Sequence, residues 1–295
     1  MTRDKLIIQV RINEYALRGA NPHVPYSPEE IAADALACGA EGAAIIHYHA
    51  RDAVTGAPAT EAALYADTAR RIKAASDLLI LPTLGAWTLP SPEARIAHVV
   101  EMARDPATFP ELAPIDMASS NVDVYDSAAR RFRSDDTVYI NTAATWQYFA
   151  ATMREVGVKP VQALWNISSV RYTEALVEMG VFAEPLLCEL VLTEHGLLAG
   201  HPGTVKGLQA FLDFLPAHQR WQWSVMCAGG NLFAVAAAAL ERGGHISIGL
   251  GDYPYPELGQ PRNADLVARI VSLARALGRE VATPNEARAL LGIGG

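Results

Sequence analysis

The sequence predicts an α/β fold, the (β/α)8 or TIM barrel, and three observations carry this prediction. The chain has 295 residues, and barrels of this type often reach about 250 residues as one unit. Hydrophobic residues make up 51% of the chain and charged residues 19%, so a large core can be buried and disorder is not expected. Short aliphatic runs alternate with alanine-rich stretches throughout, which is typical of parallel strands joined by crossover helices.

Eight short runs of aliphatic and β-branched residues are predicted to be the barrel strands, because each is followed by a stretch with helical periodicity. In chain order they are 6–12, 43–49, 78–84, 115–118, 161–166, 186–192, 221–226 and 245–251. A ninth run, 137–140, is predicted to pair with the preceding stretch 123–132 as an insertion outside the barrel.

Helices are predicted between and after these strands, and two of them have strong start signals. Ser27-Pro28-Glu29-Glu30 supplies an N-cap acceptor, a proline in the first turn and a glutamate at the third position, and Thr283-Pro284-Asn285-Glu286 repeats this design before a short extra C-terminal helix at 284–291. The first signal begins the helix predicted at 29–41. The remaining predicted helices are 60–75, 92–104, 145–156, 170–179, 204–215, 231–242 and 263–277. No linker divides the chain, so residues 1–295 are predicted to form one barrel domain, with a doubly wound sheet as the alternative fold.

Charge and cysteine content narrow the class of partner and the compartment. The formal net charge is −8, which argues against nucleic acid or an anionic membrane as the main partner. Apolar runs such as 78–84 are far shorter than the roughly 20 residues of a membrane span, and the charged first residues do not resemble an export signal. The three cysteines show no CxxC pairing, so a reducing cytoplasm is expected.

The second predicted strand ends in His47-Tyr48-His49. Residues i and i+2 of a strand point to the same face, so both imidazoles can converge on one point at the end of the barrel where active sites lie. Two imidazoles are half of a typical zinc site, which a carboxylate and a water or substrate complete. A histidine pair of this spacing also occurs without a metal, and that alternative stays open at this point.

Three carboxylates are candidates for chemistry beside the histidines. Glu14 follows the first strand and is predicted to bind substrate, act as a base or orient a ligand, or else to be a solvated loop residue. Asp252 follows the last strand, where a catalytic acid or base lies in such barrels, although a loop cap is the alternative. Glu189 lies inside an apolar strand, where a carboxylate is costly unless it is paired or metal-bound. Arg51 and Asp52 are interpreted as a structural ion pair.

Small polar residues after the third and fourth strands are predicted to bind substrate at the same rim: Thr83, Gly85, Ser119 and Asn121. The chain contains no GxSxG elbow, no P-loop and no GxGxxG before a helix. Covalent serine hydrolysis, nucleotide hydrolysis and Rossmann-type use of NAD are therefore disfavoured.

Several blocks together resemble the β-keto acid cleavage enzyme family across nearly the whole chain. In order they are KLIIQVRINEY, NPHVPYSPEEIAADALACGAEGAAIIHYHARD, PTLG, DMASSNVD, INTAAT, GGHISIGLGDYPYPELG and ALGREVATPNEARALLG. The HxHxRD and GREVATPxEAR blocks are the most specific of them.

The resemblance implies a zinc-containing (β/α)8 barrel, usually a homotetramer. It also implies a reaction of a β-keto acid with acetyl-CoA as co-substrate, giving an acyl-CoA such as acetoacetyl-CoA. The family's zinc-binding histidines match His47 and His49, its substrate-contacting glutamate matches Glu14, and its proton-transferring aspartate matches Asp252.

Four positions depart from the family pattern. The glutamate that is the family's third zinc ligand falls at Gly251, and an arginine and histidine after strand seven fall at Gly230 and Asn231. A strand-five glutamate falls at Ala163. Glu189 is the predicted substitute ligand, with Glu14 and Asp252 as its rivals, and on this hypothesis a Glu189→Gln variant loses its metal.

The departures leave three functions to compare. The leading prediction is metal-dependent cleavage and acyl exchange of a β-keto acid with acetyl-CoA. The second is a metal-dependent lyase or hydrolase that acts on a small oxo-acid without CoA. The third is a catalytically silent barrel that binds a ligand, which is disfavoured because polar groups kept together at the barrel mouth cost stability.

Overall fold

The computed structural model describes residues 4–84, 89, 91–217 and 220–294. In this part of the chain eight parallel strands form the barrel, and a ninth short strand of the same sheet, His201–Pro202, pairs with Leu186–Thr193. The strands are β1 (Ile8–Arg11), β2 (Ile45–Tyr48), β3 (Leu79–Pro82), β4 (Leu112–Asp116), β5 (Lys159–Leu164), β6 (Leu186–Thr193), β7 (Trp221–Ala228) and β8 (His245–Ile248). Their spatial order is β3-β2-β1-β8-β7-β6-β5-β4, so strands that follow one another in the chain are neighbours and the sheet curls into a nearly closed barrel. The predicted (β/α)8 fold is confirmed.

The two ends of the sheet, β3 and β4, are joined by side chains. Glu111, directly before β4, is buried, and its Oε2 accepts a hydrogen bond from the main-chain N–H of Ile80 at 2.9 Å. Its Oε1 lies 2.7 Å from Nζ of Lys73. The carboxylate thus satisfies a strand N–H where the described residues show no ladder between the two strands.

Helices cover the outside of the barrel in alternation with the strands. They are α1 (Pro28–Glu41), α2 (Ala62–Ala75), α3 (Pro92–Met102), α4 (Ala143–Val156), α5 (Ile167–Glu178), α6 (Val205–Leu212), α7 (Phe233–Glu241), α8 (Asn263–Ala276) and α9 (Pro284–Leu291). Both predicted N-terminal capping boxes are present, at Ser27 and at Thr283. Among the described residues, no helix combines the length and the apolar character that crossing a membrane requires.

Helix α9 closes the bottom of the barrel. Its Ala287 and Leu291 belong to a buried cluster with Ile7, directly before β1, Ile45 of β2 and Leu79 of β3. This apolar plug fills the barrel interior near the N-terminal ends of the strands. Polar side chains that point inward are therefore placed towards the opposite end.

The predicted fourth strand begins too late in the chain. The sequence predicts 115–118, whereas β4 runs from Leu112 to Asp116 and includes Pro114. Proline lacks the N–H of a ladder and usually argues against a central strand. It is accommodated because one edge of β4 carries no ladder in the described structure.

The insertion after β4 forms, but its predicted pairing is wrong. Val138–Tyr139 pairs with Ser120–Asn121, and the stretch between them folds on itself, with Tyr125–Asp126 against Arg131–Phe132. The Asp126 carboxylate accepts two main-chain N–H bonds and closes this inner turn locally, so the inner strands are not available to 137–140. Residues 120–139 are called the cap below.

A half-buried carboxylate between α1 and α8 makes stability depend on pH. Oδ2 of Asp34 accepts a hydrogen bond from Nδ2 of Asn263 at 2.6 Å, and burial raises the pKa of Asp34 to about 6 despite that bond. Because the folded state holds this proton more tightly than the unfolded chain, stability falls as pH rises from about 4 to about 6.

We expect an Asp34→Asn variant to lose this dependence, since the amide does not titrate and its oxygen can still accept from Asn263. In urea unfolding at a series of pH values, the wild type should lose about 1 to 2 kcal/mol relative to the variant across this window, allowing for partial solvation. Parallel pH profiles for the two proteins would contradict this assignment.

Candidate active site

A cavity of about 390 Å³ lies at the C-terminal ends of the barrel strands. Its volume falls in the range of small-molecule sites, and its position matches that of active sites in (β/α)8 barrels. One side of the lining is polar and comes from the ends of β1, β2, β6 and β8: Arg11, Glu14, His47, His49, Glu189 and Asp252. The other side is largely apolar.

The two histidines of β2 point into the cavity together, as their spacing predicts. Nδ1 of His47 lies 2.9 Å from the carbonyl oxygen of Leu81, which can only accept, so Nδ1 carries the hydrogen. In the neutral ring Nε2 then carries the lone pair. Burial lowers the pKa of His49, which favours the neutral imidazole that binds metals.

Glu14 lies between these rings because its backbone is held in an unusual conformation. Its φ is +33°, and Arg51 donates to its carbonyl oxygen at 2.6 Å and to that of Asn13 at 3.1 Å. Oε1 of Glu14 lies 2.8 Å from Nε2 of His47, and Oε2 lies 2.5 Å from Nε2 of His49. Burial alone would raise the pKa of Glu14, but Arg11 and the two rings outweigh it and hold that pKa well below its usual range.

Glu14, His47 and His49 fit a divalent metal ion. Their three ligand atoms lie within 4.8 Å of one another, and all three side chains are buried. The lone pair on Nε2 of neutral His47 faces a carboxylate oxygen at 2.8 Å, a repulsive contact unless a cation or a proton lies between them. Two imidazoles and one carboxylate are a zinc ligand set that leaves a position open, and the bond from His47 to Leu81 is the outer contact such ligands make.

Arg11 connects Glu14 to two further carboxylates. Its Nη2 lies 2.7 Å from Oε1 of Glu14, its Nη1 lies 2.9 Å from Oε2 of Glu189, and its Nε lies 2.9 Å from Oδ1 of Asp252. Gln9 donates to the other oxygen of Glu189 at 2.8 Å. One guanidinium is shared by three carboxyl groups, so acidic groups outnumber basic ones in the cluster, which favours a bound cation.

Asp252 is suited to exchange a proton. Burial raises the pKa of Asp252 to about 8; Arg11 opposes this shift, and Glu14 and Glu189 add to it. Its Oδ2 is buried and has no hydrogen-bond partner among the described residues. A carboxyl with a pKa near neutrality and a free oxygen at a cavity is a general acid or base by its chemistry.

The family model described as beta-keto acid cleavage enzyme matches residues 5–293. The chain belongs to the beta-keto acid cleavage enzyme family. It is 30% identical over 287 residues to the 3-dehydrocarnitine:acetyl-CoA trimethylamine transferase of Rhizobium meliloti (strain 1021), which covers 90% of this chain and 89% of the relative. It is 31% identical over 294 residues to the 3-keto-5-aminohexanoate cleavage enzyme of Acetoanaerobium sticklandii, and this alignment covers 98% of this chain and 99% of the relative.

The fold is also found among solved structures. The apo structure of ObcA superposes with a TM-score of 0.73 at 16% identity over 93% of this chain. The chain spans 66% of the length of ObcA. At this identity the likeness supports the barrel fold alone.

The structure explains how this beta-keto acid cleavage enzyme accommodates glycine at position 251. A Cβ atom at Gly251 would lie 2.5 Å from Cγ and 2.9 Å from N of Glu14. The side chain of Glu14 therefore fills the space that a side chain at 251 would need. Glu189, the substitute ligand predicted from the sequence, is instead placed on Arg11 and Gln9 and is not in the group formed by the histidines and Glu14.

Glycine at position 230 has a similar explanation. A Cβ atom there would lie 2.7 Å from Sγ of Cys227 and 2.8 Å from Cγ of Glu194. Glu194 is held in this place by a hydrogen bond from the main-chain N–H of Gly203 at 2.8 Å. The position where the resemblance implies an arginine thus lies against a carboxylate.

The remaining predicted residues divide into two groups. Thr83 lines the cavity, whereas Gly85 lies outside the described residues. Ser119 exchanges hydrogen bonds with the main chain of Asn141, Asn121 is exposed on the cap, and neither is part of the described cavity lining. They are therefore placed away from the polar side of the cavity.

The interpretation of Arg51 and Asp52 as an ion pair is wrong, although both are structural. Arg51 donates to carbonyl oxygens of the loop after β1, and Asp52 accepts main-chain N–H bonds from Val54 and Thr55. Both groups therefore satisfy the main chain of their loops, and no pairing between them is found in the described structure.

Sequence reasoning missed Arg11 and Gln9. Both point into the barrel from β1, and Gln9 is buried. A signal was present, since polar residues at i and i+2 in an otherwise apolar strand share one face. Their partners on β6 and after β8 are 178 to 241 positions away in the chain, so the sequence did not identify what they hold.

Proposed function

We propose that this enzyme exchanges acyl groups between a β-keto acid and acetyl-CoA, with a zinc ion held by His47, His49 and Glu14. The observation that carries the proposal is the compact group of these three side chains beside Asp252, at the active-site end of a barrel of this family. Family membership supports the keto acid. The Rhizobium meliloti relative is named as a 3-dehydrocarnitine:acetyl-CoA trimethylamine transferase, which supports acetyl-CoA as the co-substrate.

The proposed exchange balances as follows. A β-keto acid R–CO–CH₂–COO⁻ and acetyl-S-CoA give R–CO–S-CoA and acetoacetate. The bond between C2 and C3 of the keto acid and the thioester bond of acetyl-CoA break, while a new thioester and a new bond from C2 to the acetyl carbon form. The product R–CO–S-CoA is acetoacetyl-CoA where R carries a second keto group in the corresponding position.

The residues of the site take distinct roles in this proposal. A bound zinc supplies Lewis acidity towards the oxygens of the keto acid. Oδ2 of Asp252, which has no described hydrogen-bond partner, accepts the proton that leaves C2. Arg11 orients Asp252 through its Nε, and Arg51 holds the backbone of Glu14 so that its carboxylate faces the histidines.

A second candidate is lysis or hydrolysis of a small oxo-acid without CoA. The observation that favours it is Glu194, whose side chain occupies the space beside Gly230 where the resemblance implies an arginine, so this position supplies no cation for an anionic co-substrate. The homotetramer that the resemblance implies and the cytoplasmic location that the cysteine pattern predicts stay predictions.

The test is turnover of a panel of β-keto acids by enzyme purified with zinc, with and without acetyl-CoA labelled with ¹³C in the acetyl group. We expect labelled acetoacetate and a new acyl-CoA, loss of both after chelation, and recovery when zinc is returned. Cleavage that does not need acetyl-CoA would support the second candidate. A protein that binds keto acids and never turns them over would support the silent barrel.

A further inference from the structure

We propose that the acyl tail R of the substrate is uncharged and apolar, and that Val124 of the cap helps to select it. This inference rests on the proposed function. It concerns the side of the cavity that faces away from the metal ligands, which no role above uses.

The wall of this side is an apolar cluster at the ends of three barrel strands. Ala163 of β5, Val191 of β6 and Met226 of β7 are buried against one another. Trp165 and Ala228 pack against them and also line the cavity. These side chains offer surface for dispersion contacts and hydrophobic burial.

The cap closes the cavity opposite this wall. Val122 and Val124 of the cap line the cavity together with Leu197 of the loop after β6. Val124 forms an antiparallel bridge with Leu197, and the neighbouring N–H of Tyr125 donates to the carbonyl oxygen of Gly196 at 2.8 Å. The main chain thus sets where the side chain of Val124 points.

Glycine at position 196 allows this close approach. Its φ is +83°, and a Cβ atom there would lie 2.0 Å from the carbonyl oxygen of Tyr125. The loop after β6 therefore contacts the cap main chain directly, and the two segments together form one apolar cover.

The carboxylate of the lining outside the polar side is Asp116, and both of its oxygens accept hydrogen bonds. Oδ1 accepts from Nε1 of Trp165 at 2.7 Å, and Oδ2 accepts from the hydroxyl of Tyr139 at 2.5 Å. That hydroxyl in turn accepts from Nη2 of the buried Arg95 at 2.8 Å. Tyr139 thus links Asp116 to a guanidinium behind the lining.

A tail of either charge is consequently unfavourable here. An ammonium meets a carboxylate whose two oxygens already accept hydrogen bonds from Trp165 and Tyr139, and a carboxylate tail meets valine, methionine and leucine side chains. Burial of an unpaired charge costs far more than burial of a methylene gains. An added tail methylene is expected to raise kcat/KM about fourfold until the cavity is full.

The first experiment compares three β-keto acids of equal tail length, ending in methyl, ammonium or carboxylate, on the zinc-loaded enzyme. We expect kcat/KM for the methyl substrate to exceed the other two by at least about a hundredfold. A comparable or higher value for a charged substrate would overturn the inference. If none of the three is turned over, the proposed function fails. The tail preference is then tested separately by calorimetry, which measures the dissociation constants of the three matched 3-hydroxy acids.

The second experiment changes the cover. A Val124→Asp variant is expected to lower kcat/KM for the methyl substrate and to shift selectivity towards the ammonium substrate by at least about tenfold. Val138→Asp is the matched control, because Val138 lies on the same cap, is 45% exposed and is not part of the described lining. Val124→Thr keeps the β-branched shape and replaces the aspartate variant if that variant does not fold. We expect it to shift selectivity towards the ammonium substrate by a smaller factor. Unchanged selectivity in both Val124 variants would overturn the assignment.

Discussion

A Glu14→Gln variant is expected to retain the fold but to lose its bound metal, and its turnover should fall by about a thousandfold or more. Loss of a residue that only hydrogen-bonds to a metal ligand already lowers metal affinity by about ten- to a hundredfold. Loss of a charged ligand itself lowers metal affinity further. In this chain no side chain at position 251 can compensate, because that residue is glycine. Zinc per chain, measured by elemental analysis of the purified protein, is the readout.

Glu189→Gln is the matched control for this prediction. Both residues are buried glutamates that contact Arg11, and the substitution removes the same charge. We expect the Glu189 variant to keep near-stoichiometric zinc, since its carboxylate faces Arg11 and Gln9 and not the histidines. Zinc lost from the Glu189 variant and kept by the Glu14 variant would return the third ligand to Glu189, as the sequence hypothesis has it.

An Arg11→Met variant is expected to lower the free energy of unfolding by about 3 to 5 kcal/mol, which is typical of removing one partner from a buried ionic group. Arg11 is the shared partner of Glu14, Glu189 and Asp252, and methionine fills the space without charge. Burial by itself would lower the pKa of Arg11, but the three neighbouring carboxylates have the larger effect and raise this pKa. Without this cation, the buried carboxylates of Glu14 and Glu189 lose the positive charge that they share.

Urea unfolding of the metal-free protein measures this effect. The double variant Arg11→Met with Glu189→Gln is the control, because it removes one of the carboxylates that lost its partner and leaves Gln9 able to donate to the new amide. We expect the double variant to be more stable than the single Arg11 variant by at least about 1 kcal/mol. A single variant within about 0.5 kcal/mol of the wild type would show that the network contributes little.

The sequence by itself determined the barrel and two of the three residues of the candidate metal site. Strand and helix periods depend on residues close together in the chain, so the alternation of elements and the capping boxes at Ser27 and Thr283 were predictable. The pair His47 and His49 was predictable for the same reason, since two positions of one strand share a face whatever the rest of the fold does. The family resemblance depended on the same local blocks.

Only the tertiary structure decided which carboxylate joins the histidines. Glu14 and Glu189 were both candidates in the sequence, and the choice depends on contacts between distant segments. Arg51 sets the backbone of Glu14, and Gly251 leaves room for its side chain. Arg11 meanwhile draws Glu189 to itself.

The apolar half of the cavity was equally hidden in the sequence. Val124 lies in an insertion whose pairing was predicted incorrectly, and it reaches the cavity because Gly196, some seventy positions further on, lets two main chains meet. Ala163, Val191 and Met226 become one wall only when three strands align in register. Local patterns determine which elements form, whereas substrate selection depends on side chains that the closed barrel brings together from separate strands and loops.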